Sequence, residues 1–157
     1  MKRLFILLLM LSLGNLARAQ NKTYPKDSVI KVQIIGPFEQ TATEHGATPD
    51  WVELTKQIAA KYDNAFADRL TNKAQIYYDY GKDWPAFTNA LVRYTEKYED
   101  HNNLPLLNKN AKMVLQFSTD KKELETALTW SKKTVDREPG NTDYQATYKV
   151  LLAKVSK

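Results

Sequence analysis

Few side chains in this sequence have the chemistry that catalysis or metal binding usually needs. The 157 residues include no cysteine and only two histidines, His45 and His101. The absence of cysteine excludes disulfides, thiolate zinc sites, iron–sulfur clusters and cysteine nucleophiles. Neither histidine has a second histidine at helical spacing, and a metal site needs three or four converging ligands. We therefore expect both histidines to be solvated loop residues, and we expect no metal and no cofactor.

The carboxylates that come closest to an acid–base arrangement are Asp63, Asp68 and Asp79. Glycoside hydrolysis, the reaction to consider here, uses two carboxyl groups that are about 5 to 9.5 Å apart. Asp68 and Asp79 would lie on one helix and be separated by about 16 Å along its axis. We therefore expect helix caps and solvated faces instead of a catalytic pair, and a protein that is not an enzyme.

Aromatic residues are abundant, with nine tyrosines and three tryptophans. Most of them follow apolar stripes and are expected in the core. Tyr78 and Tyr80 fall beside the stripe that Tyr77 continues. Rigid amphipathic rings of this kind suit contact surfaces. We therefore predict that Tyr78, Tyr80 or both face a partner.

The N-terminal residues have the pattern of a secretory signal peptide. Lys2 and Arg3 precede an apolar run over 4–13, and small residues two positions apart, Ala17 and Ala19, follow it. The run is shorter than the roughly 20 apolar residues of a membrane span. We predict a signal peptide over 1–19 and a periplasmic or secreted protein that does not insert into the membrane after cleavage.

Cleavage would also change the electrostatic properties of the chain. Residues 1–19 carry three basic side chains and no acidic one, so the formal net charge would fall from +5 to about +2. Basic and acidic side chains alternate along the remaining amphipathic stretches, whereas nucleic-acid binding usually needs a dense basic face. We therefore expect no nucleic-acid partner.

Residues 20–48 differ in composition from the rest of the chain. They contain Pro25, Gly36, Pro37 and Gly46, together with a β-like apolar run over 29–35. This composition predicts an extended arm or linker with one strand. A single strand is not stable alone, so the run must pack on the body, pair with another chain or stay loose.

Residues 49–157 are predicted to form a domain of six helices. Proline, glycine, aspartate and asparagine occur where helices begin or end, which is their preferred position. Each helix has an apolar stripe at helical spacing, such as Leu70, Ala74 and Tyr77 in the second. Short loops favour antiparallel neighbours. The predicted fold class is therefore all-α, a stack of antiparallel helical hairpins preceded by a short extended N-terminal arm.

Part of this pattern resembles tetratricopeptide repeats. The spacing of Leu124, Ala127, Ser131, Thr134 and Pro139 matches the second helix of such a repeat, and 77–81 matches the end of a first helix. Lys73 stands where a leucine is typical. The resemblance implies stacked hairpins with an extended concave surface.

A second resemblance covers about residues 50–155. The segments 62–69, 76–78, 82–84, 90–98, 120–132 and 147–152 are similar to the helical, tetratricopeptide-like C-terminal extension of secreted Bacteroidetes thioredoxin-like proteins. The thioredoxin domain with its Cys-x-x-Cys is absent, so no redox activity is implied for any residue. Asp27-Ser28-Val29 also resembles the short O-glycosylation motif of Bacteroidetes, which makes Ser28 a predicted modification site.

The function that this sequence favours is a non-catalytic module that binds a protein or peptide. The alternative is a helical accessory subunit or domain of a cell-envelope enzyme or of a thioredoxin-like partner. If Gly81 sets a tetratricopeptide-like register, a fixed set of positions in the second helix would face the partner. They are Thr71, Asn72, Gln75, Tyr78 and Asp79. The set lacks the Lys/Arg cluster of a carboxylate clamp, so no clamp is expected.

Overall fold

The structure is a computed structural model that describes residues 24–157, and this part of the chain is helical. Three segments follow one another without a break and together form what we call the N-terminal helix: α1 (Asp27–Ile30), a π-helical segment (Lys31–Ile35) and α2 (Gly36–Glu44). Six further helices are α3 (Trp51–Lys61), α4 (Asn64–Asp79), α5 (Trp84–Tyr98), α6 (Leu104–Phe117), α7 (Lys121–Arg137) and α8 (Thr142–Val155). The predicted all-α class is confirmed. The predicted signal peptide, 1–19, lies outside the described residues.

Local sequence explains where the six helices begin. The N-cap of each helix is an aspartate or asparagine whose side chain accepts hydrogen bonds from backbone N–H groups of the first turn, which otherwise lack partners. These caps are Asp50, Asp63, Asp83, Asn103, Asp120 and Asn141. Gly81 has a φ of 77° between α4 and α5, a left-handed conformation that favours glycine.

The six helices pack as a stack of hairpins. Each helix contacts the next one along the chain, and α5 also contacts α7 while α6 contacts α8. Because short loops connect the successive helices, neighbours run antiparallel.

Two clusters of buried side chains hold the stack together. The larger one, the main core, is formed by α5 to α8 and contains Phe87, Leu91, Leu107, Ala111, Val114, Leu124, Ala127, Trp130 and Leu151. The smaller one, the N-terminal core, joins the N-terminal helix to α3 and α4 and contains Ile30, Ile35, Leu54, Ile58, Ala67 and Leu70. α4 connects the two, because Ile76 packs against the main core and Leu70 belongs to the N-terminal core.

The strand predicted over 29–35 is wrong, because this segment lies within the N-terminal helix. In a strand, alternate residues would share a face. The structure instead buries Ile30 and Ile35, five residues apart, and leaves Val32 exposed. The i→i+5 pattern of a π-helix brings residues five apart to one face. The helix satisfies its own backbone hydrogen bonds, whereas the part of the chain that the structure describes offers no strand for pairing.

Tyr77 also differs from its predicted place in the core stripe of the second helix. Its side chain is 67% exposed. A cavity lies between α4 and α6 at this point, so α6 does not cover the ring, and Lys31 of the N-terminal helix places its Nζ 5.4 Å from the ring centroid. The apolar stripe correctly predicted that Leu70 is buried. It could not predict whether a neighbouring helix would be close enough to cover Tyr77.

Candidate functional site

A small groove crosses α4 between α3 and α5, and we call it the α3–α5 groove. It has a volume of about 140 Å³. Its lining residues are Trp51, Val52, Thr55, Asp68, Thr71, Asn72, Gln75 and Arg93. Three of the five predicted partner-binding residues, Thr71, Asn72 and Gln75, therefore come together here.

The floor of the groove is a pair of hydroxyl groups that joins α3 to α4. Thr55 Oγ1 and Thr71 Oγ1 are 2.8 Å apart. Thr55 Oγ1 also donates to the Trp51 carbonyl, and Thr71 Oγ1 lies 3.0 Å from the Ala67 carbonyl. Thr71 is buried, so its role is to fix the spacing of the two helices, and the polar atoms available to a ligand are those above it.

Two polar atoms of the groove have no hydrogen-bond partner among the described residues. They are Trp51 Nε1, a donor, and Asn72 Oδ1, an acceptor, and both are shielded from solvent. The Asn72 amide nitrogen donates to the Asp68 carbonyl at 2.8 Å, which fixes the orientation of the side chain. Leaving such atoms unpaired costs about 1 to 3 kcal/mol each. Because Trp51 and Asn72 both line the groove, a bound group that displaces the side chains covering these two atoms would gain one donor and one acceptor as partners.

The charged residues of the groove differ in how many hydrogen bonds they make. Asp68 accepts hydrogen bonds from Lys97 Nζ at 2.6 Å and from the Tyr98 hydroxyl. Burial raises the pKa of Asp68, but these hydrogen bonds outweigh it and hold the pKa below its ordinary value. Arg93 is exposed and donates to Gln75 Oε1 at 2.8 Å. A guanidinium has five N–H donors, so Arg93 retains free donors at the groove.

The other two predicted residues lie elsewhere. Tyr78 lines a cavity of about 400 Å³ between the N-terminal helix and α4, where Lys82 Nζ lies 3.7 Å from its ring centroid and Trp51 meets it edge-on. Asp79 is 2% exposed, and one of its carboxylate oxygens has no hydrogen-bond partner in the part of the chain that the structure describes. Burial raises its pKa. The predicted register put these five residues on one surface. In the structure, Thr71, Asn72 and Gln75 face the α3–α5 groove, Tyr78 faces the other cavity, and Asp79 is buried at the end of α4.

Sequence reasoning did not predict five lining residues of the α3–α5 groove: Trp51, Val52, Thr55, Asp68 and Arg93. Four of them come from the helices on either side of α4, and nothing in the local sequence pattern marks these four as neighbours of Asn72. It also missed the exposure of Tyr77, although the three tyrosines within 77–80 were a usable signal. Tyr80, predicted as a contact residue together with Tyr78, is 53% exposed.

The remaining candidates for chemistry have structural partners. His45 Nδ1 lies 2.7 Å from the Thr41 carbonyl, and His101 Nε2 lies 3.0 Å from the Thr95 carbonyl. Asp63 caps α4. No group of three potential metal ligands occurs among residues 24–157. Ser28 is exposed in the first turn of α1, next to Asp27, and its modification stays a prediction.

None of the helices described is long and apolar enough to cross a membrane. Comparison of the chain with protein-family models, with curated proteins and with solved structures found no match.

Proposed function

We propose that this protein is a non-catalytic, periplasmic or secreted module that binds a peptide segment of a partner protein in the α3–α5 groove. The observation that carries the proposal concerns Trp51 and Asn72, which line the groove together with Arg93: Trp51 Nε1 and Asn72 Oδ1 have no hydrogen-bond partner among residues 24–157. A peptide group offers one acceptor and one donor, so it matches this pair. The proposed location follows from the signal-peptide pattern of residues 1–19.

The rest of the groove supports an uncharged peptide group as the ligand. Asp68 is already neutralised by Lys97, so it does not attract a cationic side chain strongly. Among residues 24–157, Arg93 is the one cation that lines the groove, and a carboxylate clamp needs several. Arg93 is therefore assigned to backbone or side-chain carbonyl groups of the bound segment, where its free N–H donors give direction as well as affinity.

Site-specific photo-crosslinking in the producing cell tests this proposal. Val52 lines the groove and is 65% exposed, whereas Val150 on α8 is 54% exposed and lies outside it. A photoreactive amino acid at position 52 should capture a discrete partner that the same group at position 150 does not capture. Arg93→Ala and Asn72→Leu should each reduce that adduct by about tenfold, because each removes a hydrogen-bonding group from the site.

The control variant is Lys149→Ala on α8, which should leave the position 52 adduct unchanged. Circular dichroism must show that every variant is folded. If positions 52 and 150 capture the same proteins, or if Arg93→Ala and Asn72→Leu leave the adduct at its original level, the groove is not the binding site.

A further inference from the structure

A cavity of about 330 Å³ lies between α4, α5 and α6, and we call it the aromatic cavity. Cavities that bind small molecules have volumes of about 300 to 1,000 Å³ and are mainly apolar, with a few polar groups. Most of the lining residues are aromatic or aliphatic: Ile76, Tyr77, Tyr80, Phe87, Leu91, Tyr94, Leu106 and Met113. The polar lining residues are Lys73, Glu99, Lys109 and Asn110.

The aromatic cavity is deep enough to receive an apolar group. Phe87 and Leu91 at its floor belong to the main core and are 1% and 5% exposed. Tyr77 and Tyr80 are more than half exposed and stand at the opening. A ligand that extends from the opening to the floor would therefore transfer apolar surface from water to the edge of the core, which is favourable by about 25 cal/mol per Å².

The charged groups of the cavity favour an anion. Lys73 and Lys109 line it on α4 and α6, and Glu99 is the acidic lining residue. Lys73 Nζ lies 3.9 Å from the Asp27 carboxylate, which is itself held by Arg69 at 2.7 Å. Lys109 has no ion pair within 4 Å among residues 24–157. Two ammonium groups against one carboxylate leave the cavity with a net positive charge.

From these observations we infer that the aromatic cavity binds a small anionic amphiphile, a free molecule with an aromatic or aliphatic body and an acidic group. The apolar body lies on Phe87 and Leu91, and the acidic group lies near Lys73 and Lys109. Asn110 is buried, and its amide donates to Thr95 Oγ1 at 3.0 Å, so it contributes to the wall more than to ligand recognition. This site is separate from the α3–α5 groove and does not depend on the function proposed for it.

The adjacent cavity beside the N-terminal helix is less apolar. Its charged lining residues are Asp27, Lys31, Glu39, Lys73 and Lys82. Three lysines against two carboxylates also leave a net positive charge, so charge alone does not distinguish the two cavities. The aromatic cavity is the better site for an amphiphile because eight of its twelve lining residues are aromatic or aliphatic, compared with five of eleven in the adjacent cavity.

Two fluorescent probes with the same aromatic skeleton test the inference. Anilinonaphthalene sulfonate carries an acidic group, and N-phenylnaphthylamine is its neutral counterpart. The folded protein should bind anilinonaphthalene sulfonate saturably at one site. The double variant Lys73→Gln, Lys109→Gln should weaken that binding by about tenfold and change the affinity for the neutral probe by less than about twofold.

Three further variants locate the site. Glu99→Gln should strengthen binding of the anionic probe by about threefold, because it removes the like charge. Met113→Trp should reduce binding of both probes by filling the cavity. Lys149→Gln on α8 should change neither affinity, and circular dichroism should show native helicity for every variant.

The inference is overturned if the wild-type protein shows no saturable binding, if the lysine double variant affects both probes equally, or if Glu99→Gln weakens binding of the sulfonate. Sedimentation with phosphatidylglycerol vesicles tests a different source of acidic amphiphiles, an anionic lipid surface. Binding to vesicles without binding of the free sulfonate would contradict a site for a free molecule.

Discussion

Asp79 is the residue at which the structure departs most from the usual rule that buried charges are paired. It is 2% exposed, and one of its carboxylate oxygens has no hydrogen-bond partner within residues 24–157. Burial raises its pKa, and the negative charge of Asp83 adds to the effect, while hydrogen bonding from Gln75 and the charge of Lys82 oppose it. The folded state therefore holds this proton more tightly than the unfolded chain does.

This linkage predicts how Asp79 affects stability as a function of pH. When the pKa is higher in the folded state, stability decreases as the pH rises from the ordinary aspartate pKa, near 4, through the raised value. We expect Asp79→Asn to raise the midpoint of thermal unfolding at pH 7, with a smaller gain at pH 4. Thermal scans at both values test this. A variant that is less stable than wild type at pH 7 would show that the carboxylate is stabilising.

Trp130 provides a second prediction at the residue scale. The aromatic ring belongs to the main core and is 2% exposed, and its Nε1 donates to Glu96 on α5. We expect Trp130→Ala to cost about 3 to 5 kcal/mol, comparable to Leu124→Ala. Lys121→Ala, at an exposed position, is the control. Urea unfolding measures the differences, and a cost of Trp130→Ala no larger than the control would show that the α5–α7 contact does not stabilise the stack.

At the scale of elements, the position of the N-terminal helix is fixed by its contacts with α3 and α4. Ile30 and Ile35 anchor it in the N-terminal core. Asp27 receives two hydrogen bonds from the Arg69 guanidinium on α4, at 2.7 and 2.8 Å. Hydrogen bonding from Arg69 holds the pKa of Asp27 below its ordinary value, although burial opposes it. The helix is thus held by apolar burial and by the charge interactions of Asp27 with Arg69 and, at 3.9 Å, with Lys73.

The two anchors of the N-terminal helix should contribute unequally. The Asp27–Arg69 pair is partly exposed, and such pairs contribute about 0.2 to 1 kcal/mol. Removing most of a buried isoleucine costs about 2 to 5 kcal/mol. We expect Ile35→Ala to accelerate hydrogen exchange across 27–44 strongly, and Asp27→Ala to do so weakly. Val32→Ala, at an exposed position, should have no effect. If Asp27→Ala has the larger effect, the ion pair is the principal anchor.

At acidic pH the N-terminal helix should lose the stability that the Asp27 ion pair contributes, while the contribution of the buried isoleucines should remain. Because the pKa of Asp27 is lowered on folding, its contribution is complete above the ordinary aspartate pKa and is lost as the pH falls through the lowered value. The accelerated exchange of Asp27→Ala relative to wild type should therefore be seen at neutral pH and should disappear in strong acid. A difference that persists unchanged in strong acid would mean that Asp27 acts through something other than its charge.

The whole molecule has two cores of unequal size, and this predicts unequal stability along the stack. Repeat-like stacks are stabilised mainly by contacts between neighbours, and regions with fewer buried contacts open locally at lower free energy. Native-state hydrogen exchange should show α3 and the N-terminal helix opening before α6 and α7. Ile58→Ala should lower protection in α3 and the N-terminal helix and leave α7 and α8 nearly unchanged. Equal loss of protection in all helices would indicate a single cooperative unit.

Much of the architecture could be predicted from the sequence because helix ends and helix faces depend on local interactions. Asp and Asn caps interact with backbone groups two or three residues away, so Asp120 and Asn141 mark helix starts without any knowledge of the fold. The apolar stripe of α7 likewise identified Leu124 and Ala127 as buried residues. These interactions are present in the chain segment itself, and tertiary packing only reinforces them.

Tertiary structure alone decided the conformation of 29–35 and the composition of the candidate sites. A short apolar run can form a strand or a helix, and here burial of Ile30 and Ile35 against α3 and α4 selected the helix. Helical periodicity placed Asn72 and Tyr78 on nearby faces of α4, but contacts with α3, α5 and the N-terminal helix placed them in different cavities. Arg93 joins Asn72 only because α5 packs beside α4. The physical reason is that side-chain periodicity fixes a direction from the helix axis, whereas the distance to each neighbouring helix depends on packing between segments that are distant in sequence.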